Sequence, residues 1–347
     1  MSVTIKDVAA DAGVSTATVS HVINKTRYVS DEVTGRVNDS IARLRYYPNL
    51  LVSGLRSKKS KTIGIVIPSI TNETFAALTE RVQRTFFQMD YNIILCDTSY
   101  DQVLEDRAIE TLIMKQADAV VIVPVGGYTQ KMQELQELKI PVILMDRSFS
   151  EIAVDTIRVD NYEGQYEIIN YLVGMGHKRI GYIDRKQEQS HSRDQKRGYV
   201  DALKNNGIEP DPKWVVNTGG HDFNSGVEAV KALVSRTPEV TAIAAYYDVI
   251  AFGAIRGLID MGYSVPGDYS VVGYDGMKFT EVTVPRLTTV LAPVDMMARN
   301  VCDLVLNKMD GLSGNGGQEQ AEPVDVVIKP SLVIRESCGE PAPEARL

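Results

Sequence analysis

The residues of this chain whose types and spacing could do chemistry first appear at Thr16, Ala17 and His21. A threonine hydroxyl and an imidazole each donate or accept hydrogen bonds, and an alanine methyl can meet the methyl of thymine, so the three suit base edges in a DNA major groove. Catalysis is not suggested anywhere. The four histidines and three cysteines show no metal-ligand spacing, and neither a nucleophile–base pair nor a paired-carboxylate site is apparent. No enzyme activity, cofactor or metal is therefore expected.

The elements that must position these three residues are readable in the wording around them. Ile5, Val8 and Ala9 recur at helical spacing behind Thr4, a cap with Asp7 three residues on, and Gly13 stops that helix. Ser15 caps a second helix with the buried stripe Val19, Val22 and Ile23. The Gly13-Val14 corner between them has the length of the turn in a helix-turn-helix, which lays its second helix in the major groove. A third helix is expected from a cap at Ser30 through Val33, Val37, Ile41 and Leu44, closing a small core. Charge agrees with this reading. Residues 1–61 carry 10 Lys/Arg against 5 Asp/Glu, and the remaining 286 residues carry 27 against 40. A basic head on an acidic body is the electrostatic footprint of phosphate binding.

Pro48 is placed to start a short helix over Asn49 to Arg56, with Leu50, Leu51, Val52 and Leu55. Eight residues are too few to hold helix alone, so this segment is either a helix that needs a partner or, from Ser53 to Ser60, a solvated linker. At 347 residues the chain exceeds one domain, and its 44% hydrophobic content is ordinary. The polar N-terminus and the absence of any long apolar run point to a cytosolic protein with no membrane span. Cys96, Cys302 and Cys338 are expected to be reduced thiols without a shared role.

From Lys61 the pattern changes to strands alternating with helices. Strands are expected at 62–67, 92–96, 119–123, 142–145, 156–159, 179–183, 214–217, 242–245 and 270–274, with helices at 72–89, 102–115, 162–175, 193–206, 224–234 and 248–261. The alternation predicts parallel sheets wrapped by helices. About 270 residues of it exceed one sheet, which predicts two doubly wound lobes with ligand at the carboxyl ends of the strands. Asp146-Arg147 follows a strand and is expected to face that cleft. Tyr246 and Tyr247 also follow a strand, as wall or as contact. His177 is read as packing or capping a helix, His191 and His221 as exposed loop residues, and the Gly126-Gly127 and Gly219-Gly220 pairs as turns. A flexible loop is expected at 311–317, one strand over Val324 to Ile334, and a frayed tail from Glu340 to Leu347.

The run Thr4-Ile5-Lys6-Asp7-Val8-Ala9, Gly13-Val14-Ser15, Thr18-Val19-Ser20-His21-Val22-Ile23-Asn24, Val29-Ser30 and Tyr47-Pro48-Asn49 closely resembles the headpiece of the lactose and purine repressor (LacI/GalR) family. Its wording is most similar to the purine and ribose branches. The resemblance continues in Ile140 to Arg147, Gly176 to Gly181, Arg197-Gly198-Tyr199, Val272 to Asp275 and Pro285 to Val290, and so covers nearly the whole chain. It implies an all-α helix-turn-helix headpiece at 1–48 and a hinge helix and linker at 49–61. The α/β effector domain at 62–340 would resemble a periplasmic sugar-binding protein, followed by a tail at 341–347. It places the first lobe at about 62–160 and 290–322, the second at about 161–289 and 323–340, with three crossings and a cleft that opens and closes.

By the same resemblance Thr4, Ser15, Thr16, Ala17, Thr18, His21, Asn24, Arg27 and Tyr28 would contact DNA. Leu55, followed by Arg56, would wedge into the minor groove when two subunits pair. In the cleft, Asn72, Phe75, Asp146, Arg147 and Asp275 stand where ribose-type sites place an amide, an aromatic wall, an acid-base pair and a second acid. Thr74, Gln195, Tyr247 and Asp248 complete the expected set. Three positions depart: Gln195 replaces an arginine, Tyr247 an asparagine, and Glu73-Thr74 a Pro-Phe pair. These changes argue against ribose itself, with Arg193 a candidate to restore the guanidinium. The implied function is a DNA-binding repressor controlled by a sugar-like effector, acting as a homodimer on a pseudopalindromic operator. The alternative is a corepressor-type regulator sensing a purine-like or phosphorylated metabolite, or a partner protein.

Overall fold

The computed structural model describes residues 3–24, 26–46, 60–146, 153–185, 190–313 and 322–341. Expectations at Lys25, Pro48 to Arg56 and Arg147, and in the tail beyond 341, lie outside these residues. Contacts divide the chain into two compact units, 1–60 and 61–347.

The first unit is three helices, α1 (Ile5–Ala12), α2 (Thr16–Asn24) and α3 (Asp31–Leu44). Asp7 accepts from the backbone N–H of Thr4 at 2.8 Å and from its hydroxyl at 2.7 Å, which fixes the start of α1. Gly13 ends that helix in the left-handed region at φ 66°, where a side chain would be strained. Ser15 Oγ then accepts from the Thr18 N–H and opens α2. Val8, Ala9, Ala12, Val19 and Val37 form a core closed by Ile5, Val22, Val33, Ile41 and Leu44. Asp11 ties α1 to α3 by accepting from Ser40 and pairing with Arg43.

The second unit contains two six-stranded sheets. In chain order its elements are β1 (Thr62–Ile67), α4 (Glu73–Phe87), β2 (Asn92–Asp97), α5 (Gln102–Met114), β3 (Ala119–Ile122), α6 (Gln130–Glu137), β4 (Val142–Met145) and β5 (Asp155–Val159). There follow α7 (Asn161–Gly174), β6 (Ile180–Arg185), α8 (Ser190–Asn205), β7 (Val215–Thr218), α9 (Phe223–Arg236), β8 (Ala242–Ala245), α10 (Asp248–Asp260) and β9 (Ser270–Asp275). The chain ends with β10 (Thr288–Leu291), α11 (Val294–Ser313), β11 (Asp325–Ile328) and β12 (Ser331–Val333). The first sheet runs β11-β5-β4-β3-β1-β2, all parallel, and the second β12-β10-β9-β8-β6-β7, with only β12 antiparallel. Strands such as Thr62–Ile67 and Ala242–Ala245 are apolar without alternation because helices cover both faces of each sheet.

The nine expected strands and six expected helices of this unit are present, with ends shifted by a few residues. The expectations near the end of the chain need correction. The stretch 324–334 is not one strand: Lys329 and Pro330 divide it, β11 joins the first sheet and β12 the second. A proline cannot donate to a ladder, and this one stands where the chain changes sheets. The first lobe therefore regains the chain as far as β11, while β10 belongs to the second lobe, so the crossings fall near 160, 292 and 329. Helix α6 and the long α11 were not expected. The latter runs to Ser313 through the start of the anticipated loop, and its Met297, Val301, Val305 and Met309 complete the first-lobe core against Leu78, Val82 and Phe86 of α4.

In the second lobe α9 and α10 touch along glycines. A Cβ on Gly253 would lie 2.1 Å from the Phe223 carbonyl oxygen, and one on Gly226 would lie 2.3 Å from that of Ile250. Gly253→Ala is expected to cost roughly 1–3 kcal/mol by forcing the helices apart. Urea unfolding of the variant checks this, and wild-type stability would show that the two backbones separate without penalty.

Candidate functional site

In the first unit the start of α2 is exposed. Thr16 and Ala17 are exposed on the opening turn of α2, and His21 is partly exposed one turn on. Its Nδ1 is 2.8 Å from Thr26 Oγ1, which orients the ring. Arg27 is exposed beside it, and Tyr28 is 87% exposed, a phenol left without packing and so available to a ligand. The remaining expected contacts already have local roles. Thr4 caps α1, Ser15 and Thr18 share a hydrogen bond at 2.9 Å, and the Asn24 amide donates to Ser20. Leu55 and Arg56 are outside the described residues.

In the second unit a partly open cavity lies between the two sheets and offers about 90 Å³ to the centres of water-sized molecules. Its walls come from just beyond the carboxyl ends of the strands. Pro68 follows β1, Pro124 follows β3, Asp146 follows β4, Tyr246 and Tyr247 follow β8, and Asp275 ends β9. Strand ends in a doubly wound sheet leave a crevice where the chain order reverses, and two such crevices here face each other.

Asp146 and Asp275 hold equivalent places in the two lobes, each left-handed at φ 61° and 100°. Two non-glycine residues in that region at strand ends are a strain that functional sites commonly retain. Asn72 joins the lobes. Its Oδ1 accepts from the Phe75 N–H at 3.1 Å as the cap of α4, and its side chain acts on Asp275 by favouring the charged carboxylate. Burial and the neighbouring Asp146 charge push the Asp275 carboxyl up to about 7, against the opposing effect of Asn72. A second bridge between lobes is Glu73, which accepts from the Lys278 N–H at 3.0 Å. The third is aromatic: Tyr100 of the first lobe stacks on His221 of the second at 5.1 Å, with the Arg185 guanidinium 5.4 Å from its centre.

Of the residues expected here, Asn72, Thr74, Phe75, Asp146, Gln195, Tyr247 and Asp275 do line the cavity. Asp248 does not. It is fully buried behind the wall, accepting from Thr289 Oγ1 at 2.6 Å and from the Met277 N–H at 2.7 Å, and burial drives its pKa well upward. A Cβ on Gly273 would lie 2.1 Å from its carboxylate, so that glycine makes room for it. Arg193 is exposed on α8 and absent from the lining. The guanidinium comes instead from Arg185, the last residue of β6. Arg147 is outside the described residues.

His221 is corrected too. It is half-buried in the cavity wall with Nδ1 2.7 Å from the Tyr246 hydroxyl, and burial together with the Arg185 charge lowers its pKa to about 4. His191 falls in the first turn of α8 and not in a loop. His177, as expected, packs: it is buried and bonds Thr241, Ser270 and the Gly339 carbonyl. Tyr100, Asn161, Arg185 and Tyr274 line the cavity without having been anticipated. The signal available for Arg185 and Tyr274 was their place at the carboxyl end of an expected strand.

A helix-turn-helix unit and a two-lobed α/β domain with a cavity at its strand ends together define a ligand-responsive DNA-binding regulator. Comparison makes the class specific. Residues 4–49 match the bacterial regulatory proteins of the lacI family, and residues 60–336 match the periplasmic binding proteins and sugar binding domain of the LacI family. The chain belongs to the LacI family of bacterial transcriptional regulators. It is 31% identical to the HTH-type transcriptional repressor PurR of Mannheimia succiniciproducens, over 96% of this chain and 98% of that one. It is 32% identical to the ribose operon repressor of Escherichia coli, over 88% and 93%. Among solved structures it is similar to a CelR–cellobiose complex, with 28% identity, coverage of 96% and 99%, and a TM-score of 0.72. The lac repressor dimer bound to operator and the anti-inducer ONPF shares its fold, with 24% identity, coverage of 97% and 99%, and a TM-score of 0.84.

Because its pKa is raised in the folded state, Asp275 keeps a proton that the unfolded chain releases above about pH 4. Its contribution therefore turns destabilising as pH rises toward 7 and levels off above that. Asp275→Asn is expected to raise stability by roughly 1–3 kcal/mol at pH 8 and by less at pH 5. Thermal unfolding at both pH values checks this; equal shifts would mean that the carboxyl titrates normally.

Proposed function

We propose that this regulator is a repressor whose interlobe cavity binds a small polyol, a sugar or sugar derivative. The observation that carries the reading is the meeting of Asp146, Asp275 and the Asn72 amide across the lobes, with Phe75 as an apolar cover. A sugar presents hydroxyls that both donate and accept and one face of C–H groups, so its site needs acids, an amide and a ring. The names of the relatives support this class: one represses a ribose operon and another was solved with cellobiose. Gln195 and Tyr247 at the positions where the resemblance expects an arginine and an asparagine argue against ribose itself.

On this reading the protein works in the cytoplasm as a homodimer on a two-fold operator, without enzymatic activity. Among the described residues no helix is long and apolar enough to cross a membrane, and no cluster of side chains is suited to a metal. Effector changes operator affinity by binding one arrangement of the lobes better than another, and the segment 49–61 carries that difference to the headpiece.

Two measurements test the halves separately. His21→Ala is expected to weaken binding to an operator selected from random DNA by about 1–3 kcal/mol and to leave non-specific DNA binding nearly unchanged. Equal losses on both DNAs would remove His21 from base reading. Calorimetric titration of the full-length protein with a panel of sugars and purines identifies the effector. Asp275→Ala should then lower effector affinity by at least tenfold and shift the effector response of operator binding by the same factor. Wild-type effector affinity in that variant would place the site elsewhere.

A further inference from the structure

We propose that Thr26 is the residue that positions His21 for DNA: its hydroxyl holds Nδ1 of the imidazole and leaves Nε2 as the ring nitrogen that meets a base edge. The inference rests on the reading of His21 as a base contact and names the side chain that aims it.

The helix and the ring are placed by different means. Val19 is fully buried, and Val22 and Ile23 pack against the same core, so the headpiece itself sets where α2 lies. The Asn24 amide closes the last turn by donating to the Ser20 carbonyl at 2.9 Å and to the Ser20 hydroxyl at 3.2 Å. The imidazole is only partly covered. The outer torsion of a histidine is broad and roughly two-fold, so a ring that is not held can turn over. Turning it over puts carbons where the two nitrogens stood, and a hydrogen-bonding edge becomes a C–H edge.

Thr26 selects between the two orientations. Its Oγ1 lies 2.8 Å from Nδ1, reached from two residues beyond the end of α2. The opposite orientation would present a carbon to that hydroxyl. Thr26 is itself exposed, and among the described residues this is its one hydrogen bond, so no other polar contact explains the placement of the hydroxyl. Nε2 has no hydrogen-bond partner among the described residues. In a neutral imidazole one nitrogen donates and the other accepts, and a threonine hydroxyl can answer either. The bond to Thr26 therefore holds the ring in both tautomers. Nε2 can then donate to a guanine or thymine acceptor, or accept from an adenine or cytosine amino group.

The test uses full-length protein, an operator selected from random DNA and a random duplex of the same length. Thr26→Val keeps the shape and removes the hydroxyl. It should weaken operator binding by about three- to tenfold, the range of one hydrogen bond, with random-duplex binding and the salt slope unchanged. Thr26→Ser restores the hydroxyl and should bind operator as the wild type does. In a His21→Ala background Thr26→Val should cost nothing more, and a further loss there would mean that Thr26 touches DNA itself and would overturn the proposal. Two replacements of the histidine separate aiming the ring from tying down the loop after α2. His21→Asn keeps a polar atom near the place of Nδ1 and can keep the Thr26 bond, whereas His21→Gln keeps one near the place of Nε2. Gln should retain operator affinity better than Asn, and Asn should behave like Ala. If Asn is the better of the two, the bond only ties the loop and the proposal is wrong. If Thr26→Val binds operator at wild-type affinity while His21→Ala still loses specific binding, Thr26 does not aim the ring and the base reading stands. If His21→Ala weakens binding to both DNAs equally, both fall.

Discussion

Tyr100 of the first lobe lies against His221 and beside Arg185 of the second, and the shape of the cavity depends on this three-part contact. A buried guanidinium is unfavourable unless its surroundings answer the charge, and a tyrosine ring face is one of the few uncharged surfaces that does so. The same ring stacks on the imidazole and, with burial, helps to hold it in one orientation. His221 is also held from its own lobe by the Tyr246 hydroxyl, so the ring adds a contact from the other lobe to a side chain already oriented. The electrostatic character of this end of the cavity is thus shared between the two lobes.

Opposite this contact the constraint is different in kind. Asn72 has one amide to offer in two directions. Its oxygen caps α4, and the same side chain lowers the pKa of Asp275 in the other lobe. A helix start in one lobe and the charge state of a strand end in the other are therefore linked through a single side chain. Asp248 illustrates how easily such roles are confused. It is an acid at the start of a helix next to a strand end, as a ligand-binding residue would be, yet its carboxylate is consumed by Thr289 and the Met277 N–H.

Much of this architecture is legible in the amino-acid order because periodicity reports burial. Val8, Ala9 and Val19 mark a helix pair with a glycine corner, and unbroken apolar runs such as Thr62–Ile67 mark strands covered on both faces. Asn72, Phe75, Asp146 and Asp275 are legible through family wording. Arg185, Tyr100 and His221 are not, since their roles arise from the approach of segments 36 to 121 residues apart, and nothing local to any of them records that approach. Nor does local wording show that Lys329-Pro330 divides two strands, because β11 and β12 have similar apolar content and differ only in the sheet that accepts them. The helix α11 was missed for a related reason: its buried stripe is made largely of methionines, alanine and cysteine, residues that carry a weaker periodic signal than leucine.

All three passages between the lobes lie along one margin. β11 and β12 are the outermost strands of their sheets, β5 and β10 stand next to them, and the chain changes lobe after β5, after β10 and between β11 and β12. The three backbone steps from Ile328 to Ser331 span only about 11 Å even when fully stretched, which limits how far the sheets can slide past each other while they swing about this margin. β2 and β7 form the opposite margins, and Tyr100 and His221 lie just beyond them. The stacked rings therefore sit at the far end of a lever whose fulcrum is the Lys329-Pro330 side. An angular opening about that side displaces these rings more than it does contacts close to the fulcrum.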